Sequence, residues 1–320
     1  MDHSATSSAA LTERRTSAPL CARLQGFGAL RVSGADARAF LQAQLTNDVE
    51  HLPQHRARLA GWCSAKGRLL ATFLVVPHAA GYLLQVSRDL APVVAKRLSM
   101  FVLRSKVTIV DVSHETLQLG VWGAGAEARL AALGLEPAKD EFALASSDGV
   151  AAVRIGNERF LVLGPAHEVA GIEARLALQG ADENDWDLAE IRAGRPRLVH
   201  ATQDLFVPQM VNLEALGGVD FKKGCYPGQE IVARTQYRGQ LKRRMVRARA
   251  GEGVTLAPAQ DLFSDDLPGQ AGGTVVSAAR ADGGTELLAV VSVAAAAEGI
   301  PIRVAPDGPA LEILDLPYSI

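Results

Sequence analysis

The chain has 320 residues, of which 48% are apolar and 21% charged, and its formal net charge is −2. That length predicts two or three domains with sizeable cores, and the composition excludes the disordered and membrane classes. Near-neutral charge predicts no global attraction to nucleic acid or anionic membrane, so any electrostatic argument has to be local.

Residues 1–18 contain no continuous apolar stretch and read as a disordered tail rather than a secretory signal. From residue 29, ALRVSG predicts a strand, followed by a helix opened by Asp36 with Ala37, Phe40, Leu41 and Leu45 at helical spacing. TNDVEHLPQH closes that unit as a loop. RLAGWCSA, GRLLATFLVVP and GYLLQVS predict three strands, then residues 90–101 a helix and KVTIVDV a further strand. LQLGVWG resumes as a strand and AEARLAALGL as a helix. GVAAVRIG and RFLVLGP form a hairpin turning at Gly156 and Asn157, and EVAGIEARLAL returns to a helix. Beyond about residue 240, short β-rich stretches separated by GEG, PGQAGG, ADGG and PDG predict a small all-β barrel or sandwich. The longest apolar run, LLAVVSVAAAA, falls short of the roughly 20 residues of a membrane span and reads as a buried strand. The simplest arrangement is a first α+β domain from residues 19–50 and 113–240, an inserted α+β domain at 51–112, and a C-terminal β domain at 241–320.

Cys21, Cys63 and Cys225 are an odd number without a CxxC pair, so neither a disulfide framework nor a self-contained zinc site is indicated. A reducing compartment, the cytoplasm, fits. Three thiols also fall short of the four that a standard iron–sulfur cluster takes. No GxGxxG or P-loop sequence appears, and no histidine pair has metal-ligand spacing. The stretch KKGCYPGQE, residues 222–230, draws the eye. A thiol reacts as its thiolate, which neighbouring cations and partial exposure favour, and Lys222 and Lys223 supply the cations. Gly224 and Gly228 let a ligand or partner backbone approach, and Pro227 fixes the turn. Two readings stand at this point, a reactive or ligand-binding Cys225 and a buried cysteine beside a tight turn. Downstream, residues 234–249 carry Arg234, Arg238, Lys242, Arg243, Arg244, Arg247 and Arg249 with no acid. That run reads either as a solvated strand face or as a contact for phosphates, nucleic acid or a polycarboxylate ligand. Gln209 and Asn212 sit among apolar neighbours, where side-chain amides recognise a heterocycle or satisfy the core.

Taken together, FLQAQLTNDV, GWCSAKGRLLATF, LRSKVTIVDVS, EIRAGRP, FVPQMVNLE and FKKGCYPGQEIVARTQYRGQLKRR resemble the YgfZ family of folate-binding proteins. That family lies within the superfamily of the glycine-cleavage T-protein, an aminomethyltransferase. The resemblance runs from about residue 29 to 244, and the K-G-C-[YF]-x-G-Q-E signature is intact. It implies an α+β, three-domain cloverleaf of two ferredoxin-like α+β units and a C-terminal antiparallel β-barrel around a tetrahydrofolate channel. It also implies a role in assembling or repairing iron–sulfur proteins, including enzymes that thiolate tRNA. Cys225, with Lys223 beside it, becomes the expected reactive thiol or transient cluster contact. The expected folate contacts are Gln209, Asn212, Glu190, Arg192, Gly228, Gln229, Glu230, Arg234 and Arg238. The implied partners are folate, as tetrahydrofolate or a derivative, and iron–sulfur client or assembly proteins, with no membrane.

Two positions depart from the T-protein pattern. Where aminomethyltransferases continue K-G-x-[IV]-[IV]-D-D, this chain has Ala71 and Thr72, neither of which exchanges a proton as a carboxylate does. Arg192 takes the place of the pterin-binding glutamate in the L-E-A-G element, and a guanidinium only donates, which leaves Glu190 as the nearby acceptor. A folate-dependent one-carbon transferase using Cys225, and direct tRNA binding by the arginine-rich run, are the alternative expectations.

Overall fold

A computed structural model describes residues 18–238, 241–267 and 269–320. Apart from Ala18 the expected tail lies outside the described residues, as does the side chain of Arg238. Among the described residues the backbone forms three sheets, one for each lobe of a cloverleaf.

The five-stranded sheet orders Arg58–Cys63, Leu69–His78, Gly81–Ser87, Phe27–Ser33 and Thr108–Asp111. Helices α1 (Ala37–Gln44) and α2 (Ala91–Ser99) cover it. Helix α1 buries Ala37, Phe40, Leu41 and Gln44, spaced as one helical face requires. Because Phe27–Ser33 pairs with Gly81–Ser87 and Thr108–Asp111, this lobe begins near residue 27 rather than at His51. The apolar pattern of that strand says that it is buried, but not which sheet buries it.

The first six-stranded sheet orders Gln179–Gly180, Leu20–Arg23, Thr116–Trp122, Arg159–Pro165, Val150–Gly156 and Leu144–Ser147. Helices α3 (Ala126–Ala131) and α4 (Ala166–Leu176) belong to this lobe. Two further helices, α5 (Glu183–Arg192) and α6 (Gln229–Arg238), have no counterpart in the sequence-based elements. Helix α5 starts at Asp182, whose carboxylate accepts a 2.9 Å bond from the Asn184 amide. Its Trp186 lies on Gly120, where any Cβ would fall 2.3 Å from the indole, and Trp122 packs beside it at 5.7 Å. Glycine at 120 thus sets how closely α5 approaches the sheet.

The C-terminal sheet orders Ile302–Arg303, Asp261–Ser264, Ala271–Ala281, Gly284–Ser292, Arg243–Ala250 and Glu312–Leu314. A bridge between Arg303 and Ala310 and a 2.7 Å bond from the Leu311 amide to the Ile302 carbonyl join its two edges in one hairpin, which curls it into a barrel. The run read as one buried strand divides at Ser292, whose hydroxyl accepts from the Ala295 amide and caps α7 (Val293–Glu298). The alanines that follow favour a helix. One apolar cluster joins Phe73 and Leu84 of the five-stranded lobe to Ile191 of α5, Val232 of α6, and Met245 and Leu288 of the barrel. The lobes therefore share a core at the centre of the molecule.

Candidate functional site

Three adjoining cavities open at that centre. The deep one, of about 100 Å³, takes its walls from all three lobes: Leu59, Thr72 and Ser87 from one, Asp187 and Glu190 of α5, and Ser277 of the barrel. It continues, through the shared residues Arg195 and Leu216, into a chamber of about 350 Å³ beside Arg159, Arg192 and Tyr318. A third, wider space of about 710 Å³ shares Glu141, Phe142 and Leu216 with that chamber and ends at Lys222, Arg56, Arg58 and Tyr237. Together they make a channel with Asp187 and Glu190 at its inner end beside Arg195 and Arg197, and with Arg56, Arg58 and Lys222 at its mouth beside Asp220.

The inner carboxylates are spaced three apart on α5, so both project from one helix face. Asp187 takes both arms of Arg197 at 2.9 and 3.0 Å. Burial pushes its carboxyl up to about 6, against the pull of Arg197 and with the help of the neighbouring charges of Glu183 and Glu190. Glu190 accepts from Arg159 at 2.5 Å and Arg195 at 3.4 Å. A carboxylate has lone pairs beyond two such bonds, so this pair can still accept from a ligand's N–H edge. Thr72 faces the deep cavity and Ala71 is fully buried, so the two positions that carry an aspartate in aminomethyltransferases offer no carboxylate here.

Of the KKGCYPGQE segment only Lys222 lines the mouth, and Cys225, three residues on, is in the walls of none of the three cavities. Cys225 is exposed, and a Cβ on Gly224 would meet nothing within 4 Å. Gly228, at φ +79°, is held by close packing: a Cβ there would lie 2.4 Å from the Ser64 carbonyl oxygen and 2.6 Å from the Gly67 Cα. The GWCSAKGR turn and the cysteine motif, far apart in sequence, thus abut through two glycines. Lys223 turns inward. Its ammonium donates to the carbonyls of Gln42 and Leu45 at the C-terminal end of α1, with the Tyr226 ring 5.3 Å away. Burial lowers its pKa to about 8, opposed by the charges of Asp48, Asp220 and Cys225. Of the two lysines expected to flank the thiol, Lys222 is exposed at the channel mouth, and Lys223 anchors the loop.

The other expected contacts divide. Glu190 lines the inner cavity, and Arg192 lines the 350 Å³ chamber while pairing with Glu286 at 2.7 Å. Gln209 and Asn212 are buried away from the channel walls. Gln209 donates to the Val232 carbonyl of α6 at 2.7 Å, and Asn212 donates to the Met245 carbonyl of the barrel at 3.0 Å. Each amide nitrogen thus holds a main-chain carbonyl, while Gln209 Oε1 and Asn212 Oδ1 are buried without a hydrogen-bond partner. Gln229 is half-buried at the start of α6, and Glu230 and Arg234 are exposed on it, outside the walls of the channel. Within the arginine-rich run, Arg244 pairs with Glu214 at 2.5 Å, Arg247 is buried, and Arg249 bonds the Asp282 carbonyl. Sequence reasoning missed Asp187, Arg56 and Arg58. The spacing of Asp187 and Glu190 was a readable signal, whereas the arginines join the site only when the lobes meet.

The remaining cysteines are withdrawn. Burial pushes Cys63 up to about 12 and Cys21, with Glu173 adding, up to about 11. Among the described residues no group of three or more histidine, cysteine or carboxylate side chains could hold a metal, and no helix is long and apolar enough to cross a membrane.

Residues 11–156 match the GCVT N-terminal domain family. The fold superposes with a TM-score of 0.73 on the glycine cleavage system aminomethyltransferase T from Bartonella henselae, at 17% identity, covering 95% of this chain and 87% of that one. The tRNA-modifying protein YgfZ of Edwardsiella ictaluri is 35% identical over 310 residues, 93% of this chain and 92% of its own length. That of an Enterobacter species is 33% identical over 301 residues, 90% of each chain. With identity at that level over nearly the full length of both chains, the protein belongs to the YgfZ family.

Proposed function

We propose that this protein is a folate-binding accessory factor that supports tRNA modification by maintaining iron–sulfur proteins, with Cys225 as the group it presents to them. The observation that carries the reading is the channel running from Asp187 and Glu190 to Lys222, with the exposed thiol of Cys225 three residues further along the chain. The relatives' names, tRNA-modifying protein, set the process that it serves.

The channel suits a reduced folate along its length. Asp187 and Glu190 accept from the amino edge of the heterocycle, which extends from the deep cavity into the 350 Å³ chamber, since about 100 Å³ alone is below the roughly 300 Å³ of a small-molecule pocket. Leu59, Leu213 and Leu216 give apolar walls. Arg56, Arg58 and Lys222 meet the carboxylates of the tail at the mouth. Bound there, a reduced folate supplies an electron-rich heterocycle able to carry a one-carbon unit. Thr72 removes no proton from it, which argues against aminomethyl transfer. The other thiols being buried, this chain offers a cluster one sulfur, and the client or assembly protein supplies the remaining ligands. Free thiols suit the reducing cytoplasm.

The test is complementation of a bacterial strain lacking its own family member, read as thiolated tRNA. The wild type restores the modification, Cys225→Ser does not, and Glu190→Gln restores it in part. Full restoration by both variants contradicts the reading.

A further inference from the structure

A second cleft, of about 1,350 Å³, lies between α5 and the barrel sheet, lined by Arg192, Arg247, Arg249, Arg280, Glu286 and Leu314 among others. Arg247 and Arg249, two apart on the strand Arg243–Ala250, project from the same face of the sheet. Arg249 stands in register with Glu286 and Glu312, and Arg247 with Leu288 and Leu314. Arg247 is therefore flanked by leucines where its neighbour is flanked by carboxylates. It is only 7% exposed, and its Nε is buried without a hydrogen-bond partner. The one buried acid of the cleft, Glu286, is gripped by two nitrogens of Arg192, at 2.7 and 3.1 Å.

A buried guanidinium lacking a counter-charge is costly, and it is retained where an anion completes it. We infer that the cleft is a binding site for a small molecule bearing one oxyanion group, phosphate or carboxylate, seated on Arg247 with Arg249 and Arg280 beside it. The planar fork of Arg247 matches either group. The rim selects further: Asp185, Glu312 and Asp315 are exposed around the opening, so a strand of phosphates is repelled while N–H donors elsewhere on a small ligand are welcomed. The site stands on residues apart from Asp187, Glu190 and Cys225, and does not depend on the folate reading.

The experiment titrates inorganic phosphate, and separately acetate, into the full-length protein at constant ionic strength. It follows the melting temperature and the ¹⁵Nε–H resonance of Arg247. At least one anion is expected to raise the melting temperature saturably and to move that resonance along the same isotherm. Arg247→Lys, which keeps the charge and loses the fork, should weaken the response about tenfold, and Arg247→Met should abolish it. No saturable response to either anion in the wild type, or an unchanged response in Arg247→Met, overturns the inference. The resonance decides the matter without a substitution should a variant fail to fold.

Discussion

Lys223 is the buried foot of a loop whose cysteine faces solvent, and its titration gives a signed prediction. Burial holds its pKa near 8, whereas the unfolded chain keeps the proton up to the ordinary value of 10.5. Between those values the unfolded state binds more protons, so stability contributed by this group rises as the pH climbs through the window. Urea unfolding of the wild type and Lys223→Met at pH 7.5 and 9.5 should show the difference between them moving in favour of the wild type at the higher pH. The buried Cys21 and Cys63 pull the other way in both proteins and cancel. A constant difference would place the amine outside the buried setting described. Asp187 gives the second prediction. With its carboxyl near 6, it loses acceptor capacity as the pH falls below that value, so tetrahydrofolate affinity should drop by up to about fivefold between pH 6 and 5. In Asp187→Asn the binding isotherms should change little over that range. Gln209 and Asn212 teach a lesson at this scale. Their amide nitrogens hold the carbonyls of Val232 and Met245, while their buried oxygens have no partner, and an apolar sequence context shows neither fact.

At the scale of elements, the two motif glycines behave differently. A methyl group on Gly228 would strike the Ser64 carbonyl and the Gly67 backbone at a positive φ, while Gly224 faces open space. Thermal melts should show Gly228→Ala losing roughly 1–3 kcal/mol, and Gly224→Ala staying within about 0.5 kcal/mol of the wild type. Equal effects would mean that the two turns do not abut. The longer strands were legible as short apolar runs buried on both faces, and helix α1 because it buries one regular face, whereas the short strands Leu20–Arg23 and Leu144–Ser147 were not read. Nor were helices α5 and α6. The first buries only Trp186 and Ile191, and the second, among its described side chains, only Val232, so neither has an apolar stripe to read. The sequence likewise predicted a strand from residue 29 but withheld its partners, and its pairing puts the start of that lobe near residue 27.

At the scale of the molecule, the channel exists because three lobes share a core, and its parts come from residues between 27 and 318. The signature around Cys225 is continuous and was readable directly. The cationic mouth was not, because Arg56 and Arg58 meet Lys222 only after the lobes close. The cloverleaf itself followed from family motifs, and periodicity gave no more than alternating strands and helices. The claim on which the account rests is that this channel takes up a reduced folate through the carboxylates of α5. Calorimetric titration of tetrahydrofolate under anaerobic conditions at pH 7.5 tests it most directly. The account predicts one site per chain, an affinity at least about tenfold weaker in Glu190→Gln, and unchanged binding in Cys225→Ser. Absence of binding, or wild-type affinity in both Glu190→Gln and Asp187→Asn, would contradict it.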